Sequence, residues 1–361
     1  MRGFFKTIVK LAVSLLALLL GMVIAATAIL VYSNSPPVFS PDAIAGREDV
    51  TIESNSVGQT MLRFEVRRGE SAQSVGMRLF SAGLIRNQYF WYLLCRYDKE
   101  PIKNGQYRIT VPLTQIAIHR ILVSGRQILL RLTIPEGLTL KKTARLLEEA
   151  GVCPAEDFLA AAVDPDIISH YRIPGASMEG YLYPDTYLFP PEYPAEKVVS
   201  TMADTFFARI GAINENAADL TPGELHRLVI LASIVEREYR LNEEAPLMAG
   251  VFFNRLRIGM ALQSCATVEY VITEVQGRPH PEVLLTRDTE IRDPYNTYVY
   301  PGLPPGPISA PGAISLQAVF SPTSSNYLYF RLIDPADGRH YFSQTLDDHI
   351  KAGALYLKGG Y

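Results

Sequence analysis

The chain has 361 residues, 48% hydrophobic and 20% charged, and its 34 Lys and Arg against 37 Asp and Glu leave a net charge of −3. That length supports a sizeable core and two or three domains, and the apolar content excludes an intrinsically disordered chain. Three cysteines exclude a disulfide scaffold, and the near-neutral balance argues against a nucleic-acid partner. The mean hydropathy of +0.08 is high for a soluble protein, and the excess has one visible source.

Residues 11–32, LAVSLLALLLGMVIAATAILVY, carry no charge. At 1.5 Å per residue a helix over this run reaches about 33 Å, enough for a hydrocarbon core of roughly 30 Å. Arg2, Lys6 and Lys10 precede it, while Asp42, Arg47, Glu48 and Asp49 follow. The positive N-terminal flank predicts a cytoplasmic N-terminus and an exported remainder. A cleaved signal peptide is the rival reading, because Ala26-Thr27-Ala28 has the small-x-small form. The apolar run continues through Ile29, Leu30 and Val31, which favours an uncleaved single-pass anchor. Cys95, Cys153 and Cys265 show no paired spacing, so zinc is not expected and small buried hydrophobes are the default reading.

Residues 33–60 are polar and Pro/Ser-rich, a spacer by composition. A repeat then appears at an offset of 68: FEVRRGESAQSVGMRLFSAGLI (64–85) aligns without gaps with LTIPEGLTLKKTARLLEEAGVC (132–153). Gly69 matches Gly137, Ser71 matches Thr139, Leu79 matches Leu147, and Gly83 matches Gly151. Each copy predicts a short strand, a glycine turn, a Ser/Thr cap and an amphipathic helix ended by glycine. Residues 105–111 read as a returning strand. The unit resembles LysM, a module that binds glycans containing N-acetylglucosamine; an ordinary βα repeat without a ligand has the same pattern. Tyr89, Phe90, Trp91 and Tyr92 have rings suited to stacking on sugars, although such runs at helical spacing also build cores.

Beyond about residue 175 Tyr and Pro become dense, in GYLYPDTY (180–187) and YNTYVYPGLPPGPI (295–308). Three prolines within 301–305 restrict the backbone. Residues 327–334 and 339–345 flank Pro-Ala-Asp-Gly and predict a hairpin.

Thr221-Pro222-Gly223-Glu224 is a capping box that opens a helix over 222–238. Its apolar stripe is Leu225, Leu228, Val229, Ala232 and Val235. Glu236 follows Leu225 by eleven residues and so falls about 20° from it, within the stripe, at the 3.6-residue period. Glu238 falls instead beside Arg227. A carboxyl among apolar neighbours is poorly solvated, its pKa rises, and it can serve as a general acid at neutral pH. A structural glutamate bonded to a backbone amide, or to Arg255 or Arg257, is the alternative at this point. HExxH, GxGxxG, GxxxxGK[ST] and G-x-S-x-G are all missing, and the six His are scattered, so neither a metal nor a cofactor is expected.

Four segments together resemble the YceG-like endolytic murein transglycosylases: EGYLYPDTY (179–187), LASIVERE (231–238), VFFNRLRIGMALQ (251–263) with Thr267-Val268, and YNTY (295–298) with GLPPG (302–306). The resemblance spans nearly the whole chain. It departs from the family at 264–266, where Ser-Cys-Ala stands in place of the usual Thr-Asp-Pro that follows Leu-Gln. It implies Glu236 as the catalytic residue and Tyr187, Asn254, Gln263, Thr267, Tyr295, Asn296 and Tyr298 as substrate-binding. It also implies cleavage between N-acetylmuramic acid and N-acetylglucosamine in nascent peptidoglycan, leaving 1,6-anhydro ends that limit strand elongation. One carboxyl in two successive roles replaces the paired carboxylates of ordinary glycosidases. Glycan strands, cell-wall synthases and a membrane crossed once are the implied partners.

The expected architecture is α+β: a cytoplasmic stretch (1–10), an anchor in the inner membrane (11–32), a linker (33–60), a LysM-like repeat region (61–170) and a catalytic domain facing the periplasm (171–361). Two other readings stay open from the sequence: a non-catalytic LysM-type peptidoglycan-binding scaffold, and a hydrolase in which water completes the reaction.

Overall fold

The structure, a computed structural model, describes residues 2–44, 50–54 and 60–358. The spacer read at 33–60 includes 45–49 and 55–59, with Arg47, Glu48 and Asp49, which lie outside the described residues. The uncharged run forms one long helix, α1 (Arg2–Asn34), and Val9–Asn34 is long and apolar enough to cross a membrane. The chain gathers into two units, residues 1–129, which include α1, and 130–361.

In the first unit β1 (Val50–Ser54), β2 (Thr60–Val66) and β3 (Gly105–Thr110) form an antiparallel sheet in the order β1-β2-β3, with Leu62 opposite Ile109. Three helices complete it: α2 (Ala72–Ser81), α3 (Gln88–Asp98) and α4 (Gln115–Ser124). Alternation along β2 buries Leu62, Phe64 and Val66 against Val75, Leu79 and Trp91. Trp91 fits because residue 76 is glycine: a Cβ there would lie 2.3 Å from the indole Cδ1. Its Nε1 donates to the Ala72 carbonyl at 2.9 Å. Of the aromatic run, Trp91 is core, whereas Tyr89 and Tyr92 are exposed.

The second unit opens with β4 (Leu130–Thr133), which pairs antiparallel with β5 (Thr186–Phe189), placing Leu132 opposite Tyr187. Between them run α5 (Leu140–Glu149), α6 (Ala155–Ala161) and α7 (Pro165–His170). Next come α8 (Ala195–Ile213), α9 (Pro222–Glu238), α10 (Ala245–Arg257), α11 (Cys265–Tyr270) and α12 (Ala313–Phe320), with α9, α10 and α12 packed on one another. The hairpin expected near the C-terminus is β6 (Tyr329–Asp334) with β7 (Arg339–Ser343), followed by α13 (Leu346–Lys358).

The mixture of helix and antiparallel sheet is α+β. The repeat recurs as local geometry. Gly69 and Gly137 have φ of 75° and 74°, and Ser71 and Thr139 cap α2 and α5 by accepting from the amides of Ser74 and Lys142. The two copies nevertheless build different cores. The second copy, through Ala144 and Leu147, belongs to the larger hydrophobic cluster, and the two units divide at 129/130. A sequence repeat fixes strand, turn and cap; it does not fix what the apolar face packs against.

Candidate active site

The capping box at Thr221 forms, with the Thr221 hydroxyl accepting from the Glu224 amide and the Glu224 carboxylate accepting from the Thr221 amide. From Val229 to Val235 every side chain of α9 is buried, so the helix runs through the core and brings Glu236 to its edge. The loop after residue 300 lies along it: the Ile308 amide donates to Ser233 Oγ at 3.0 Å, and Ser309 Oγ donates to the Ser233 carbonyl at 3.1 Å. Ala310 exchanges backbone hydrogen bonds with Gly137 and Leu138. Gly180, at φ 82°, has its Cα so close to Pro307 that a Cβ would lie 2.4 Å from the proline ring, which keeps the 179–187 segment tight against this loop.

This routing delivers the N-terminus of α12 to Glu236. The Gly312 amide donates to Glu236 Oε2 at 2.9 Å and Ser315 Oγ to the same oxygen at 2.7 Å, while the Tyr239 hydroxyl lies 3.5 Å from Oε1. These donors favour the charged carboxylate, but burial outweighs them, and with the nearby charge of Glu136 it pushes the pKa up to about 7. Among the described residues no cation pairs with the group: Arg255 donates to the carbonyls of Leu328 and Leu262, Arg257 to Asn254 Oδ1, and Arg237 pairs with Glu269 at 2.8 Å. The arginine alternative is therefore overturned, while the backbone-amide bond is present. A half-buried carboxyl that exchanges its proton near neutrality can act as an acid and, once deprotonated, as a base.

Glu238 departs from the helical-wheel reading. Its carboxyl turns inward to the Ser264 hydroxyl, and burial raises its pKa. Cys265 departs from the buried-cysteine expectation: it is exposed, with Sγ 3.2 Å from the Tyr298 hydroxyl, whereas Cys153 is buried.

The remaining motif residues fall into two groups. Four have their polar groups engaged inside the unit. Tyr187 is 7% exposed and donates to the Tyr183 carbonyl at 2.7 Å. Asn254 donates to the carbonyls of Ser325 and Tyr327. Thr267, fully buried, bonds the Ser264 carbonyl and Thr297 Oγ1. Asn296, also fully buried, donates to the carbonyls of Thr289 and Ile291 and accepts from the Tyr298 amide. These side chains brace loops. Asn254→Ala is expected to lower unfolding stability by about 1 kcal/mol, because two partly buried carbonyls lose their donor; a denaturant titration checks it.

The other three are less enclosed. Gln263 is exposed on a strained backbone with φ 48°, pinned by its amide to the Thr297 carbonyl at 3.1 Å. Tyr295 is half-buried, its ring 4.9 Å from that of Tyr270, and Tyr298 is half-buried beside Cys265.

Reading the sequence left Glu179 without a role. It is 6% exposed, its Oε2 accepts from the Leu140 amide at 3.1 Å, and burial raises its pKa to about 8. It thus binds one end of the turn whose other end, Gly137, lies against Glu236. Its place at the head of a Tyr-rich segment carried no helical or strand period that would announce burial.

The YceG-like family matches residues 64–354. An endolytic murein transglycosylase of Streptococcus pneumoniae is 29% identical over 325 residues, 81% of this chain and 58% of that protein. Another, of Bacillus subtilis, is 26% identical over 316 residues, covering 83% of this chain and 86% of that one. The chain thus spans little more than half the length of the pneumococcal relative. A crystal structure of a YceG-like protein from Listeria monocytogenes superposes with a TM-score of 0.55 at 29% identity, over 81% of this chain and 99% of that one. The match takes in residues of both units and all four of the motif segments, and on that extent the chain belongs to the YceG-like family.

Proposed function

We propose that the protein is a membrane-anchored endolytic lytic transglycosylase acting on nascent peptidoglycan. The observation that carries this reading is the carboxyl of Glu236, half-buried, without a cation and with its pKa near 7. Protonated Glu236 gives its proton to the glycosidic oxygen between N-acetylmuramic acid and N-acetylglucosamine as the C1–O bond breaks. The carboxylate left behind takes the proton of the muramic acid C6 hydroxyl, whose oxygen closes onto C1. Atoms balance without water, and the carboxyl returns to its protonated state. The Gly312 amide and Ser315 hydroxyl hold Oε2, which leaves Oε1 the freer oxygen for proton transfer. Gln263, Tyr295 and Tyr298 are the motif residues open enough to meet sugar hydroxyls.

The reading includes α1 as the anchor, with Lys6 and Lys10 on the cytoplasmic side and the chain beyond α1 outside. Cell-wall synthases, as the source of nascent strands, are the partners it implies. Mass spectrometry of muropeptides released by the purified chain is expected to show anhydro-muramic ends, each one water lighter than a hydrolysis product. Hydrated ends would show a hydrolase instead, and the absence of new ends would show a scaffold.

Glu136 provides a graded test. Its carboxylate lies against Gly312, where a Cβ would sit 1.8 Å from Oε1, and its charge raises the pKa of Glu236. In Glu136→Gln that repulsion is gone, Glu236 ionises at lower pH, and the alkaline limb of kcat/KM is expected to move to lower pH.

A further inference from the structure

Charge is unevenly divided along the chain. Residues 60–129 hold eleven Lys and Arg against four Asp and Glu, a balance of +7, whereas residues 130–361 hold 19 against 29, a balance of −10. The basic excess belongs to the part of the smaller unit that follows the apolar helix α1.

That part of the unit is stapled to the end of α1. The Arg86 guanidinium stands 4.7 Å over the Tyr32 ring and donates to the Tyr32 hydroxyl at 3.1 Å and to the Pro36 carbonyl at 2.9 Å. Asn87, the cap of α3, donates to Ser33 Oγ at 3.2 Å, and Asn34 Oδ1 accepts from the Ile116 amide at the start of α4 at 3.0 Å. Ser33 is 3% exposed, so the joint is closed. Where the last turn of α1 goes, the first turns of α3 and α4 go with it.

Beginning within one turn of that joint, α3 shows solvent an apolar and aromatic face. Tyr89 is 74% exposed and Tyr97 88%, with Tyr92 and Leu93 exposed between them. Positions 89, 92, 93 and 97 keep helical spacing, so they lie along one side while Trp91 enters the core. Met77 of α2 joins Tyr89 and Tyr92 in lining a groove of about 410 Å3. Tyrosines with an apolar body and a polar tip, on a basic unit beside a helix that can span a bilayer, match the chemistry of the membrane–water interface. Anionic headgroups attract such a basic unit.

We propose that the exposed face of α3 docks residues 60–129 onto the headgroup layer of an anionic bilayer, beside the point where α1 leaves it. The proposal rests on the reading of α1 as an anchor. Docking holds the basic unit at a fixed height instead of letting it swing.

The test uses the full chain carrying Tyr89→Trp, which adds one indole on the exposed face to the buried Trp91. The protein is reconstituted into vesicles of phosphatidylethanolamine and phosphatidylglycerol, with or without bromine in the upper acyl chains of the phosphatidylglycerol, and the vesicles are floated. The expected result is loss of the added emission in brominated vesicles only, with the wild-type signal from Trp91 changing much less. A protein that floats while its added emission is unchanged by bromine overturns the docking and leaves the anchor standing. That outcome, together with protection of the added indole by soluble glycan fragments, would assign the face to a sugar strand. A protein that fails to float overturns the anchor reading, and the docking with it.

Discussion

Glu236→Gln is expected to release anhydro-muramic products about 10⁴-fold more slowly than the native chain, since a single positioned acid or base contributes about 10²–10⁴ and the proposed mechanism uses this carboxyl as both. The amide can neither give the first proton nor accept the second. It keeps an oxygen for the Gly312 amide and the Ser315 hydroxyl, so the N-terminus of α12 stays seated on α9 and the fold is retained. Cleavage that persists in a folded Glu236→Gln protein would move the chemistry elsewhere. The same assignment sets the pH response. The acid must be protonated at the start of each turnover, so the rate falls as pH rises through about 7. Without burial a glutamate would make that transition near 4.5, its ordinary value.

The helix carrying Glu236 was legible because its information is local. A capping box marks its start, and an apolar stripe running past the eleventh residue places the carboxyl at the edge of the core. The groups that hold the carboxyl were not legible, because Gly312 and Ser315 are 76 and 79 residues away and meet it only through a proline-rich loop pinned to Ser233. Asn254, Thr267 and Asn296 illustrate the converse difficulty. A polar residue inside a motif reads as a ligand-binding group, yet irregular loops leave backbone carbonyls and amides that need partners, and these side chains supply them. The repeat at offset 68 shows where pattern stops: both copies cap and turn alike, but only long-range packing assigns one copy to each unit.

Glu179→Gln is expected to stabilise the protein at neutral pH. The Glu179 carboxyl has a pKa of about 8 in the folded chain and an ordinary value of 4.5. Below 4.5 it is neutral whether folded or unfolded, and the native chain has its full stability. As pH rises from there toward 8, the unfolded chain ionises while the folded chain must hold its proton, so stability falls across that window. At 1.36 kcal/mol per pH unit the loss accumulated by pH 7 is about 3 kcal/mol as an upper figure. Glutamine is neutral in both states and retains an oxygen for the Leu140 amide, so it escapes this loss. For a unit of this size the gain corresponds to roughly 6–10 °C in Tm at pH 7, shrinking toward zero near pH 4.5. Glu236 and Glu238, also raised by burial, leave a residual slope in the variant. Melting curves of both proteins from pH 4.5 to 8 decide the matter: parallel curves would place the Glu179 carboxyl in water, whereas curves that diverge as pH rises place it in the core.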